Sequence, residues 1–168
     1  MNFYFGGMKV ARQSYDADLE LQHIYIEVHA ERYHHLKAFI EAYYCFTYGA
    51  VTKQDKPDWQ AIFDVGIRTT NAAKIMDRKL LIRDMLVPLS VLIGYMKAMV
   101  RDDVLTIEGL RNLLNEHLKY VVMTREEYAY LSKKGLRDAM PISFYQREHK
   151  HYKQISARYD VAGITLVE

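Results

Sequence analysis

The stretch TIEGLRNLLNEHLKYVVM, residues 106–123, holds three side chains suited to acid–base chemistry on a phosphate: Arg111, Asn112 and His117. Histidine titrates near neutral pH and passes a proton either way. Arginine forks onto two phosphate oxygens and steadies the charge that develops there. On an ideal helix six positions turn 600°, so Arg111 and His117 point about 120° apart. A bend in that helix, or a second copy across a two-fold axis, has to bring them together. The intervening apolar set, Leu110, Leu113, Leu114 and Leu118, already explains an amphipathic helix with a polar outer face.

The pattern Arg111-Asn112-x4-His117 is similar to the signature of HEPN-type ribonucleases, a resemblance that covers seven residues. It implies a small, all-helical, dimeric protein of the toxin or defence type that cleaves RNA without metal. His117 would then transfer protons and Arg111 would stabilise the phosphorane.

Two other groupings invite chemistry. Glu20, His23, Glu27, Glu31 and His34, with Glu41 beyond, form a polar stripe at helical spacing and contain Glu-x-x-His twice. Helical carboxylate metal sites use such pairs, but from different helices that converge. Here the pairs are eleven residues apart on one segment, about 16 Å along a helix axis, so they cannot share an ion within one chain. A solvated face is expected, and no metal or cofactor. The C-terminal stretch FYQREHKHYKQISARY mixes Arg147, Lys150, Lys153 and Arg158 with Phe144, Tyr145, Tyr152, Tyr159, His149 and His151. Cations that neutralise phosphates, interleaved with rings that stack on bases, suit single-stranded nucleic acid. The same cations suit an acidic protein surface. As a helix the segment gathers Arg147, Lys150 and His151, and sets Tyr145, Tyr152 and Tyr159 seven apart, where they equally make a buried seam. Arg147, Lys150, Tyr152, Lys153, Arg158 and Tyr159 are the expected partner-facing residues. Phosphate-loop, dinucleotide, nucleophile-elbow, Cys-x-x-Cys and zinc-protease motifs do not occur in the sequence.

Around these groups the periodicity predicts mostly helices. Leu21, Ile24, Tyr25, Val28, Leu36, Phe39, Ile40 and Tyr43 follow steps of three and four, predicting one long helix from about Asp16 to Tyr48. TKQDKPDW breaks the chain, with Asp55 placed to cap and Pro57 in the first turn of a next helix. Its apolar side is Trp59, Ile62, Phe63, Val65 and Ile67. A further helix is expected from Thr70 or Asn71 through Leu81, then the most apolar segment, kinked at Pro88 and closed by Asp102 and Asp103. Thr106 should cap the helix that carries Arg111. KYVVMT is β-like, and Thr124 with Glu127 is a capping box for a helix ending at Gly135. The basic stretch reads as a last helix. GITLV reads as a short strand that could pair with the N-terminal FYF or MKV.

Length and composition set the limits. A chain of 168 residues, half of them apolar and about a quarter charged, is expected to fold as one domain (1–168). The expected class is mainly α: a single-domain bundle of about five to six helices with a small β element near the termini. One cysteine excludes a disulfide framework. The longest apolar run, 85–100, is too short and too polar to span a bilayer, and no signal-peptide pattern opens the chain, so a cytoplasmic location away from membranes is expected. The net charge is only +2, but from Lys133 onward seven basic residues face four acids. The leading expectation is a non-enzymatic binding or regulatory protein whose basic, tyrosine-rich end contacts RNA, DNA or an acidic protein. The second is the metal-independent ribonuclease, and a homo-oligomer is compatible with either.

Overall fold

A computed structural model describes residues 4–167, with the side chains of residues 12–167. The described residues are mainly helical and include a three-stranded sheet. The described residues group into two compact units. The first holds residues 4–65 with Met96–Asn115, the second Gly66–Tyr95 with residues 116–167.

In the first unit the expected long helix is two: α1 (Tyr4–His29) and α2 (Leu36–Tyr48). A single helix would leave the stripe Leu21, Ile24, Val28 and the stripe Leu36, Ile40, Tyr43 both facing water. Folding back at residues 30–35 lets each bury the other, and all six side chains are buried. The reversal uses Glu31 in the left-handed region (φ 56) and a 3-10 turn, Tyr33–His35. Gly49, also left-handed, ends α2 as the sequence suggests. A four-residue α3 (Ile62–Val65) follows the break at Pro57. The unit is completed by the C-terminal half of α4 (Leu89–Arg101) and most of α5 (Ile107–His117), where Leu110 and Leu114 are buried. The Gly109 N–H donates to Thr106 Oγ1 (2.9 Å), so Thr106 does cap α5.

The second unit is built on the sheet. β1 (Ile67–Arg68) runs parallel to β3 (Tyr120–Thr124), which pairs antiparallel with β2 (Leu81–Met85), giving the order β1-β3-β2. YVVMT of the KYVVMT stretch is therefore the central strand, and all five of its residues are buried. The helix expected over residues 70–81 is absent: short 3-10 turns at Ala72–Lys74 and Arg78–Leu80 lead into β2. Pairing Ile82 with Met123 and Asp84 with Val121 outweighs a weak helical pattern. Pro88 consequently kinks nothing. It stands just ahead of α4, where its carbonyl accepts from the Val91 and Leu92 N–H groups. α6 (Arg125–Lys133) starts at the capping box of Thr124 and Glu127, and Gly135 (φ 71) follows it.

The C-terminal stretch is not one helix. A 3-10 turn at Ile142–Phe144 is followed by turns through residue 156 and a six-residue α7 (Ala157–Ala162). The three tyrosines at seven-residue steps meet three environments: Tyr145 is exposed, Tyr152 half-buried and Tyr159 buried. No common apolar face existed to hold a helix together. GITLV pairs at the sheet rather than with the N-terminus: Leu166 lies opposite Thr69 in an antiparallel bridge. Residues 4, 5 and 8–10 are helical, and Phe3 lies outside the described residues.

Candidate functional site

Arg111 and His117 each have occupied surroundings. Arg111 Nη1 donates to Asp18 Oδ1 (2.8 Å) and its Nε reaches Glu108 Oε2 (3.3 Å), so two carboxylates take up the charge that a phosphate would need. Bonding to Asp18 raises the Arg111 pKa above its ordinary value. Asn112 is exposed beside it on α5. His117, only 8% exposed, closes α5 with its ring 5.2 Å from that of Tyr95. The Glu/His stripe is cut by the turn after α1. Glu20 stays with His23 (3.3 Å) and Glu27 with Arg32, while His34 stacks near His35. Among the described residues no three His, Cys, Asp or Glu side chains are grouped to hold a metal, and no helix is long and apolar enough to cross a membrane.

The basic C-terminal segment separates into a buried anchor and an exposed loop. Arg158 and Tyr159, two of the expected partner-facing residues, belong to the anchor: both are fully buried. Arg158 Nε donates to Leu86 O (3.0 Å). Its Nη1 donates to Leu136 O (2.9 Å) and Arg137 O (2.7 Å), and its Nη2 to Asp84 Oδ2 (2.8 Å), Met85 O and the Tyr159 hydroxyl. One guanidinium thus ties α7 to the end of β2 and to the turn after α6. Burial raises the Asp84 pKa, and Arg158 offsets that only in part. Burial likewise pushes up the Tyr159 hydroxyl. Phe144, packed with Met140 and Ala157, fixes the other end of the loop.

Residues 145–156 run between these anchors. Turn bonds hold them: His149 N–H to Gln146 O, Tyr152 N–H to His149 O, and Lys153 N–H back to Phe144 O. Lys153 takes a left-handed φ of 54 to make that return. Ser143 Oγ and His151 Nδ1 lie 3.2 Å apart, and the His151 N–H donates to His149 Nδ1. Arg147, Lys150 and Lys153 are exposed. Arg101, Arg111, Arg137 and Arg158 each hold a carboxylate, but among the described residues none pairs with these three cations. Lys153 Nζ instead lies 5.4 Å from the centre of the Tyr152 ring.

Beside this loop opens a cleft of about 700 Å³, of the size that takes small ligands or peptide segments. It is lined by Lys150, His151, Gln154, Ser156 and Asp160 together with residues 163–166. Asp160 Oδ2 accepts from Ser156 Oγ (2.9 Å), which occupies part of the one carboxylate in the wall. The sequence marked Lys150 but not Gln154, Ser156, Asp160 or Leu166. The signal available for Leu166 was the helix-ending Gly163 followed by alternating Ile-Thr-Leu-Val. No family model matches the chain, and no curated protein or solved structure matches it, so its function is argued from this geometry.

Proposed function

We propose that the protein is a non-enzymatic binding protein that holds an acidic partner protein on the loop 145–156. The observation that carries this reading is the set Arg147, Lys150 and Lys153: three exposed cations without carboxylate partners, on a loop pinned at both ends to a buried core. Pinning matters because an ordered cation loses little entropy when its partner arrives. An acidic protein suits the loop better than nucleic acid. Of the six residues that composition marked, Arg158 and Tyr159 are buried, so the alternation of cations with stacking rings shrinks to Tyr145 and part of Tyr152.

The test is fluorescence anisotropy with a labelled oligoglutamate peptide and a labelled oligouridylate RNA across a salt series. The peptide is expected to bind, and to bind less as salt rises. The variant combining Arg147→Gln, Lys150→Gln and Lys153→Gly should lose it. Glycine is chosen at 153 because it keeps the left-handed turn while removing the charge. Absence of peptide binding at low salt overturns the reading, and tighter RNA binding transfers it to nucleic acid. RNA cleaved in the presence of EDTA, but not by His117→Ala, would replace it with the HEPN-like ribonuclease.

A further inference from the structure

The bond pattern at the C-terminal edge of the sheet leaves backbone groups without partners. The Thr70 N–H donates to Thr165 O (2.8 Å) and the Val167 N–H to Arg68 O (2.7 Å). These bonds flank the bridged pair Thr69 and Leu166, so that pair is of the antiparallel kind whose own N–H and C=O groups point away from each other. Thr69 turns inward, its N–H donating to Val122 O on β3 (3.0 Å). Leu166 must therefore turn its N–H and C=O outward, and among the described residues nothing accepts or donates there. At the opposite edge Arg158 takes up the carbonyls of Met85, the last residue of β2, and of Leu86 just beyond it.

An open edge is a template for another strand. This one borders the cleft, whose lining also includes Lys150 and His151. We infer that the edge at residues 164–167 is a strand-addition site whose occupant is an extended acidic segment of the partner protein, an inference that rests on the reading of the neighbouring loop as an acidic-partner surface. An added strand would exchange backbone bonds with Leu166. Its alternate side chains would point to opposite faces. One set would lie beside the half-buried Leu166 side chain, since Ile164 is already buried in the core, and the other is assigned to Lys150 and His151 of the cleft. Asp160, engaged by Ser156, is the one carboxylate in that lining. The sequence that fits is an alternation of aliphatic and acidic residues.

A labelled peptide of repeating Val-Glu tests this by anisotropy, beside two versions N-methylated either at every valine or at every glutamate. The wild-type protein should bind the parent peptide and fail to bind one of the two methylated forms, because only one set of N–H groups faces the edge. Leu166→Pro removes the outward N–H without touching the bonds of Thr165 and Val167 to the sheet. It should weaken binding about tenfold, the loss of one backbone hydrogen bond that leaves a carbonyl unpaired. Leu166→Ala, which keeps the N–H and loses only the apolar side chain, should bind more tightly than Leu166→Pro. If Leu166→Pro fails to fold, amide exchange in the wild-type protein reads the same contact: the Leu166 N–H should become protected when the peptide is added. Equal binding of both methylated peptides, equal affinity of the two Leu166 variants, or unchanged exchange at Leu166 overturns the edge site while leaving the charged loop standing. Retained oligoglutamate binding without Val-Glu binding does the same, and loss of both peptides overturns the loop reading with it.

Discussion

Arg158 brings a permanent charge into a fully buried site, where its five N–H groups meet four carbonyls, the Asp84 carboxylate and the Tyr159 hydroxyl. Arg158→Met keeps the length of the stem but strands those carbonyls and a partly buried carboxylate. The expected cost is about 3–5 kcal/mol in urea unfolding, typical of breaking a buried pair from one side. Arg158→Lys should recover little, since an ammonium has three donors and no fork. Asp84 gives a pH signature for the same contact. Its folded pKa lies above the ordinary carboxyl value of 3.8, so the folded state binds that proton more tightly than the unfolded chain. The contribution of Asp84 ionisation is therefore most favourable to folding below about pH 4, and declines as pH rises through the folded pKa. Unfolding free energies of wild type and Asp84→Asn measured across this range should show the wild-type advantage falling with rising pH, then levelling. An advantage that grows with pH would show that Arg158, not burial, dominates the carboxyl. The sequence offered Arg158 as an exposed cation because burial depends on partners 21 to 74 residues away, which composition cannot place.

At the scale of elements, local signals were legible and distant pairings were not. Thr124 and Glu127 announce a helix start within four residues, and the capping box forms: the Glu127 N–H donates to Thr124 Oγ1 (3.1 Å) and the Thr124 N–H to Glu127 Oε2 (2.9 Å). The same carboxylate also accepts from the Thr69 hydroxyl (2.7 Å) and from Asn71 Nδ2 (3.0 Å), clamping the segment after β1 to the start of α6. The two roles separate by mutation. Thr124→Ala removes one cap bond and should cost about 1 kcal/mol. Glu127→Ala leaves the buried Thr69 hydroxyl without its acceptor as well, and should cost about 1–3 kcal/mol more by chemical denaturation. Equal losses would mean that the clamp adds nothing to the cap. The same contrast runs through the fold. Gly49, Thr106 and Gly135 mark element ends because the cause lies within a turn. The α1–α2 reversal, β2 and the pairing of residues 164–167 depend on which stripe or strand finds a partner far along the chain. The candidate site divides in the same way: Arg147, Lys150 and Lys153 were legible as charges, whereas the cleft and the outward Leu166 amide exist only once the sheet has formed.

Across the whole molecule the net charge of +2 is too small to steer a partner by itself, so any steering comes from where the charges lie. The basic excess begins at Lys133, and three of its members, Arg147, Lys150 and Lys153, lie on the loop beside the cleft. Charges on an exposed rim act over roughly a Debye length, about 10 Å at 0.1 M salt, and chiefly change the encounter rate. Backbone bonds at a strand edge act only on contact and chiefly set the dissociation rate. The two parts of the proposed surface should therefore separate kinetically when the Val-Glu peptide is followed by stopped-flow fluorescence. Raising salt, or combining Arg147→Gln with Lys153→Gly so that Lys150 stays in the cleft, should slow association by about tenfold with a smaller change in dissociation. Leu166→Pro should speed dissociation with association nearly unchanged. If both changes act on the same rate constant, the loop and the edge are not successive contacts of one partner, and the cations would be holding the peptide rather than delivering it.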